Sequence, residues 1–162
     1  MKKRILIPLD LMRSPCDALM FARNLAAERP ICITLLYVLN LNIGLPAAQI
    51  YAELHIESEK ALRKLARLFF GSDEAVRIVV REGRPHEEIV AEAKSTAADL
   101  VVLAGPARHN WTEFLRLGTT QKVIDAAPCP TVVLPRHEKI EHHRPPIARI
   151  EPSPVEVLLG AA

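Results

Sequence analysis

The chain has 162 residues, 49% of them hydrophobic, and a formal net charge of +2. That length suits one domain, the apolar share suits a globular core, and the nearly balanced charge excludes the strong cationic field that sequence-independent nucleic-acid binding relies on. No apolar run approaches the roughly 20 residues of a membrane helix, and the basic start Met1-Lys2-Lys3-Arg4 leads at once into Ile5 to Leu9, too short for a secretory signal, so a soluble, cytoplasmic protein is expected.

In chain order, Ile5-Leu6-Ile7-Pro8-Leu9 reads as a first strand, apolar throughout as a strand covered on both faces must be. A helix follows from about Ser14. Ser14 suits the cap, Pro15 the first helical position and Asp17 a capping box, while Ala18, Ala22, Leu25 and Ala26 share the face turned to the sheet. Ile31 to Leu39 is a second, fully covered strand. A long helix comes next, its apolar stripe formed by Ile50, Leu54, Ala61, Leu62, Leu65 and Phe69. Val76 to Arg81 interleaves arginine with valine and isoleucine, the composition of an edge strand.

Pro85, followed by Glu87 and Glu88, opens a third helix that buries Ile89 and Ala93. Leu100 to Ala104 is a third covered strand, and a loop from Gly105 to Gly118 leads into a fourth helix that buries Val123 and Ile124. Thr131 to Leu134, flanked by Pro130 and Pro135, is a second edge strand, since proline cannot donate to a ladder. Strands alternating with helices imply an α/β fold, here a doubly wound, five-stranded parallel sheet of Rossmann-like form with helices on both faces. With the two edges so identified its order is 3-2-1-4-5. The domain spans 1–135, and 136–162 is a tail rich in proline and charge, too short to bury a core of its own.

In such a sheet ligands bind beyond the carboxyl ends of the strands, where the strand order reverses. Asp10 and Gly105 stand there, at the ends of the first and fourth strands. Asp10 suits two roles, accepting hydrogen bonds from a sugar or base, or closing its own turn. Gly118 and Thr119 open the fourth helix, where unpaired amides and the positive dipole end favour an anion; simple helix capping is the other role open to them. Neither G-x-x-x-x-G-K-[ST] nor G-x-G-x-x-G occurs. Cys16, Cys32 and Cys129 form no C-x-x-C pair and read as buried structural thiols. His86 and His109 read as solvated, Trp111 and Phe114 as loop anchors, and the tail histidines His137, His142 and His143 as no specific metal site, so no catalytic pair is evident.

These segments together resemble the universal stress protein family of the bacterial, small single-domain type, over about Lys3 to Pro135. The resemblance lies in Arg4 to Asp10, Tyr37-Val38, Glu82-Gly83-Arg84-Pro85, Glu88-Ile89, Asp99 to Gly105, Gly118-Thr119 and Ala127 to Val133. Members that bind ATP carry G-x-x-G, nine residues, then G-[ST], with the aspartate and a second-strand valine near the adenosine. Matched to that pattern, Asp10, Val38, Gly105, Gly118 and Thr119 are present, whereas Arg108 replaces the second glycine and Leu11-Met12 replace the Gly-Ser of many members. An arginine there either obstructs the phosphate channel or holds phosphate oxygens itself. The resemblance implies a stress-response regulatory protein that binds ATP or a related nucleotide, with or without magnesium, through Asp10, Val38, Gly105, Arg108, Gly118 and Thr119. The alternative is a member that has lost the nucleotide and acts as a dimeric interaction module; catalysis would amount at most to weak ATP hydrolysis. The family also implies a homodimer through the fifth strand, Thr131 to Leu134. Neither a membrane nor a nucleic acid is an expected partner.

Overall fold

The computed structural model describes residues 2–12, 15–40, 48–107 and 118–136. Five strands, β1 (Lys3–Pro8), β2 (Ile31–Leu39), β3 (Val76–Glu82), β4 (Leu100–Ala107) and β5 (Thr131–Arg136), form one sheet in the order β3-β2-β1-β4-β5. Every pairing is parallel. The order is the expected one because β3 with its arginines and β5 with Pro135 both tolerate an edge, whereas β1, with its central residues fully buried, does not.

Side chains alternate across the sheet, so each strand serves two cores. Ile5, Ile7, Leu35 and Val102 face the helices α1 (Cys16–Glu28) and α2 (Ala48–Phe70), meeting Leu19, Ala22, Leu62 and Ala66. Leu6, Leu36, Val101 and Leu103 face α3 (Pro85–Ser95) and α4 (Thr119–Ala126), meeting Ile89, Ala93 and Val123. Helix α3 starts as its composition dictates, with Arg84 at the cap, Pro85 in the first turn and Glu87 and Glu88 beside the positive end of the dipole. Among the described residues no helix is long and apolar enough to cross a membrane.

Several expectations need correction. Pro15 flanks α1 instead of opening it, its carbonyl accepting from Leu19 N at 3.2 Å; Ser14 lies outside the described residues. On α1 the sheet-facing set includes Leu19, while Ala26 is exposed. On α4 Thr120 and Val123 are buried and Ile124 is 39% exposed, because only one face of this short helix reaches the sheet. The thiols are not buried as a set: Cys32 is exposed, and Cys16 and Cys129 are half-buried. Strands β4 and β5 run on to Ala107 and Arg136, so Pro135 lies within the edge strand, where its missing N–H costs no inner pairing. The tail from residue 137 lies outside the described residues.

Candidate functional site at the strand switch point

The paired lengths of the ladders locate a crevice. Strand β1 pairs with β2 over six residues, from Lys3–Ile31 to Pro8–Leu36, and Leu9 N still donates to Leu36 O at 2.8 Å. With β4, its other neighbour, it pairs only at Ile5–Leu100 and Leu6–Val101, preceded by Asp99 N donating to Arg4 O at 2.8 Å. Strands β1 and β4 are therefore joined at their amino ends and part towards their carboxyl ends. This is the point at which the strand order reverses.

The register fixes which residues border the opening. Carried two residues past Pro8–Leu36, it sets Asp10 level with Val38. Carried four past Leu6–Val101, it sets Asp10 level with Gly105. Val38 is itself the partner of Arg81 on β3. Arg81, Val38, Asp10 and Gly105 thus stand in one row across four strands. Gly105 is buried and falls inside the irregularity between Ala104 and Ala107 where the β4–β5 register shifts; such interruptions of pairing often re-aim the chain beside a site.

The Asp10 carboxylate is exposed, and its Oδ1 accepts from the Met12 amide at 3.0 Å, which fixes the turn leaving β1. The local-turn role is therefore real, and the same turn sets Leu11 against the α1–α2 core while Met12 stays 51% exposed. Tyr37 precedes Val38 on β2. Its phenol is pushed above the ordinary 10.0 by burial and, secondarily, by the negative charge of Asp10, so it keeps its proton at neutral pH.

Helix α4 leads into β5, whose first residue pairs with Val101 near the amino edge, so the helix runs backwards and its first turn lies towards the carboxyl edge. Gly118 caps it in extended conformation and offers no side chain to the free amides. Thr119 is exposed, and Thr120 is buried. Arg108, His109, Trp111 and Phe114 lie outside the described residues, as does the rest of 108–117. Among the described residues no group of three or more histidine, cysteine, aspartate or glutamate side chains is arranged to hold a metal ion.

At the far end of the row a charge cluster joins β3 to α3. Arg81 donates from Nε to Glu92 Oε2 at 2.8 Å and from Nη1 to Glu88 Oε2 at 3.2 Å; Arg77 Nη2 stands 3.3 Å from Glu92 Oε1 as an ion pair without hydrogen-bond geometry. Glu92 is fully buried. The bond to Glu92, ahead of other causes, holds the Arg81 guanidinium above its ordinary pKa. Beside it Gly83 has φ +143°, its N donates to Leu39 O at 3.0 Å, and Glu88 Cγ lies 3.1 Å from where a Cβ would sit, so this turn admits glycine and little else. Nothing in the sequence marked Glu92 as buried, because its partners lie on another element.

Residues 1–135 match the model of the universal stress protein family. Relatives include a universal stress protein of Methanocaldococcus jannaschii, 29% identical over 85% of this chain and 84% of its own length, and one of Synechocystis, 30% identical over 83% and 87%. Among solved structures, a universal stress protein from Lactobacillus plantarum superposes with a TM-score of 0.65 at 24% identity, covering 82% of this chain and 97% of its own. A universal stress protein in complex with cAMP does so with a TM-score of 0.61 at 17% identity, covering 84% and 98%. One from Archaeoglobus fulgidus in complex with dAMP gives 0.52 at 19% identity, covering 81% and 96%.

Proposed function

The chain belongs to the universal stress protein family, and on that premise we propose that it is a regulatory protein of the stress response that binds an adenine nucleotide, ATP foremost, in the crevice between β1 and β4. The observation that carries this reading is the row Val38, Asp10, Gly105 at the place where the β1–β4 ladder ends, with the first turn of α4, capped by Gly118 without a side-chain bond among the described residues, towards the same edge. Asp10 accepts from the ribose hydroxyls, Val38 supplies an apolar seat for the base, and Gly105 lets the backbone approach the phosphates. The amides behind Gly118, the Thr119 hydroxyl and the Arg108 guanidinium hold the phosphate oxygens. Solved relatives with cAMP and dAMP support the choice of an adenine nucleotide. The place of β5 at the outer edge of the sheet, among the described residues, supports a homodimer formed by pairing of the two fifth strands.

The test is calorimetric titration of the full chain with ATP, with and without magnesium, beside Arg108→Gly. Saturable binding by the natural chain that weakens in the variant supports the reading. Binding by the variant alone, or by neither, replaces it with an interaction module that has given up the nucleotide.

A further inference from the structure

We infer that Glu92 is a positioning residue for the nucleotide base, acting through Arg81 on the wall beside Val38; the inference rests on the adenine-nucleotide reading above. Val38 and Arg81 are register partners on β2 and β3, so their side chains leave the sheet on the same face, the one covered by α3. On that face Val38 packs against the cluster that contains Ile89 and Ala93 of α3. Arg81 crosses from the sheet to the same helix, bonding Glu88 in its first turn and Glu92 one turn further on. The helix thus carries both the apolar floor under Val38 and the carboxylates that hold the side chain next to it.

Glu92 is the fixed point of this arrangement. A fully buried carboxylate is tolerated only when paired, and here two arginines four residues apart on one face of β3, Arg77 and Arg81, converge on it. Arg81 is itself two-thirds buried and forks between two carboxylates, so its plane is set on both sides. Those bonds tie α3 to β3 at Arg81, and the cluster of Ile89 and Ala93 ties the same helix to Val38, the next residue in the row. A charge cluster serving stability alone would need no such alignment with Val38, and the α2–β3 turn shows that case: Asp73, bonded to Arg67 and Arg63, lies before β3 begins, at the opposite end of that strand from Arg81.

The test uses the full chain and two probes, adenosine and ATP, with Glu92→Gln, Arg81→Lys and Thr119→Ala. Glu92→Gln is expected to weaken adenosine and ATP by the same factor, about fivefold, and to shift the methyl resonances of Val38. Thr119→Ala is expected to weaken ATP while leaving adenosine unchanged. Arg81→Lys keeps the charge and loses the fork, so it is the variant that reports if Glu92→Gln fails to fold; a smaller equal loss for both probes is expected. Adenosine affinity unchanged in a folded Glu92→Gln or Arg81→Lys chain overturns the inference and leaves the nucleotide reading standing. A natural chain that binds neither probe ends the nucleotide reading, and this inference with it.

Discussion

Two aspartates mark opposite ends of the same strand pair and have opposite environments. Asp99, at the amino edge, receives the Arg4 amide at 2.8 Å and the Lys3 ammonium at 3.0 Å, and β1 and β4 are laddered immediately above it. Asp10, at the carboxyl edge, is exposed where the ladder has ended, with one oxygen on its own turn. The difference teaches that the crevice is made by where pairing stops. One carboxylate pins the strands together, and the other stands where they have parted.

The comparison breaks most severely if the joined half is weakened. Leu6 is fully buried and pairs with Val101, so Leu6→Ala removes core volume at the last laddered position. A loss of about 2–5 kcal/mol is expected from a urea unfolding curve. A loss under 1 kcal/mol would mean that the β1–β4 junction is not what holds the two halves of the sheet. Next comes the carboxyl edge itself. Gly83→Ala places a Cβ 3.1 Å from Glu88 at φ +143°, with an expected cost of about 1–3 kcal/mol by the same measurement. A neutral result would show that Glu88 swings aside and that the turn into α3 is not tightly set.

Asp99→Asn sharpens the comparison through pH. The Arg4 amide first, then Lys3, holds the Asp99 carboxyl below the ordinary 3.8. A carboxyl whose folded value is lowered contributes stability above its unfolded value and loses it as the pH falls through the folded one. The variant is therefore less stable than the natural chain at neutral pH, and the gap closes as the pH drops below 3.8 and Asp99 itself takes up its proton. Unfolding midpoints measured from neutral to strongly acid pH check this; a gap independent of pH would remove the charge from the account.

How far this layout could be read in the sequence depends on whether a feature is local. The edges were legible because arginine in Val76 to Arg81 and proline around Thr131 to Leu134 each declare an edge within a few residues. Asp10 and Gly105 needed only strand ends and strand order, whereas Val38 entered only through the family resemblance. What failed to show was set by partners distant in sequence: the burial of Glu92 depends on arginines in β3, and the exposure of Ile124 on which face of an eight-residue helix meets the sheet. Cys32 looked apolar in its run, but it sits near the amino edge, level with exposed Arg4.

The smallest expected change in stability is the one that separates the two aspartates. Asp10→Asn keeps an Oδ1 acceptor for the Met12 amide, so the turn leaving β1 survives, and an exposed substitution of this kind shifts stability by no more than about 0.5 kcal/mol. Its effects should appear elsewhere. Removing the charge withdraws the lesser of the two causes that raise the Tyr37 phenol, so an ultraviolet titration of phenolate should find it lower than in the natural chain yet still above 10.0, because burial remains. Adenosine affinity should fall about tenfold, the scale of one hydrogen bond to a charged acceptor. If Asp10→Asn instead unfolds the chain as readily as Asp99→Asn, the carboxylate at the open end is stapling structure just as its counterpart does, and a ligand is no longer needed to explain why it stands there.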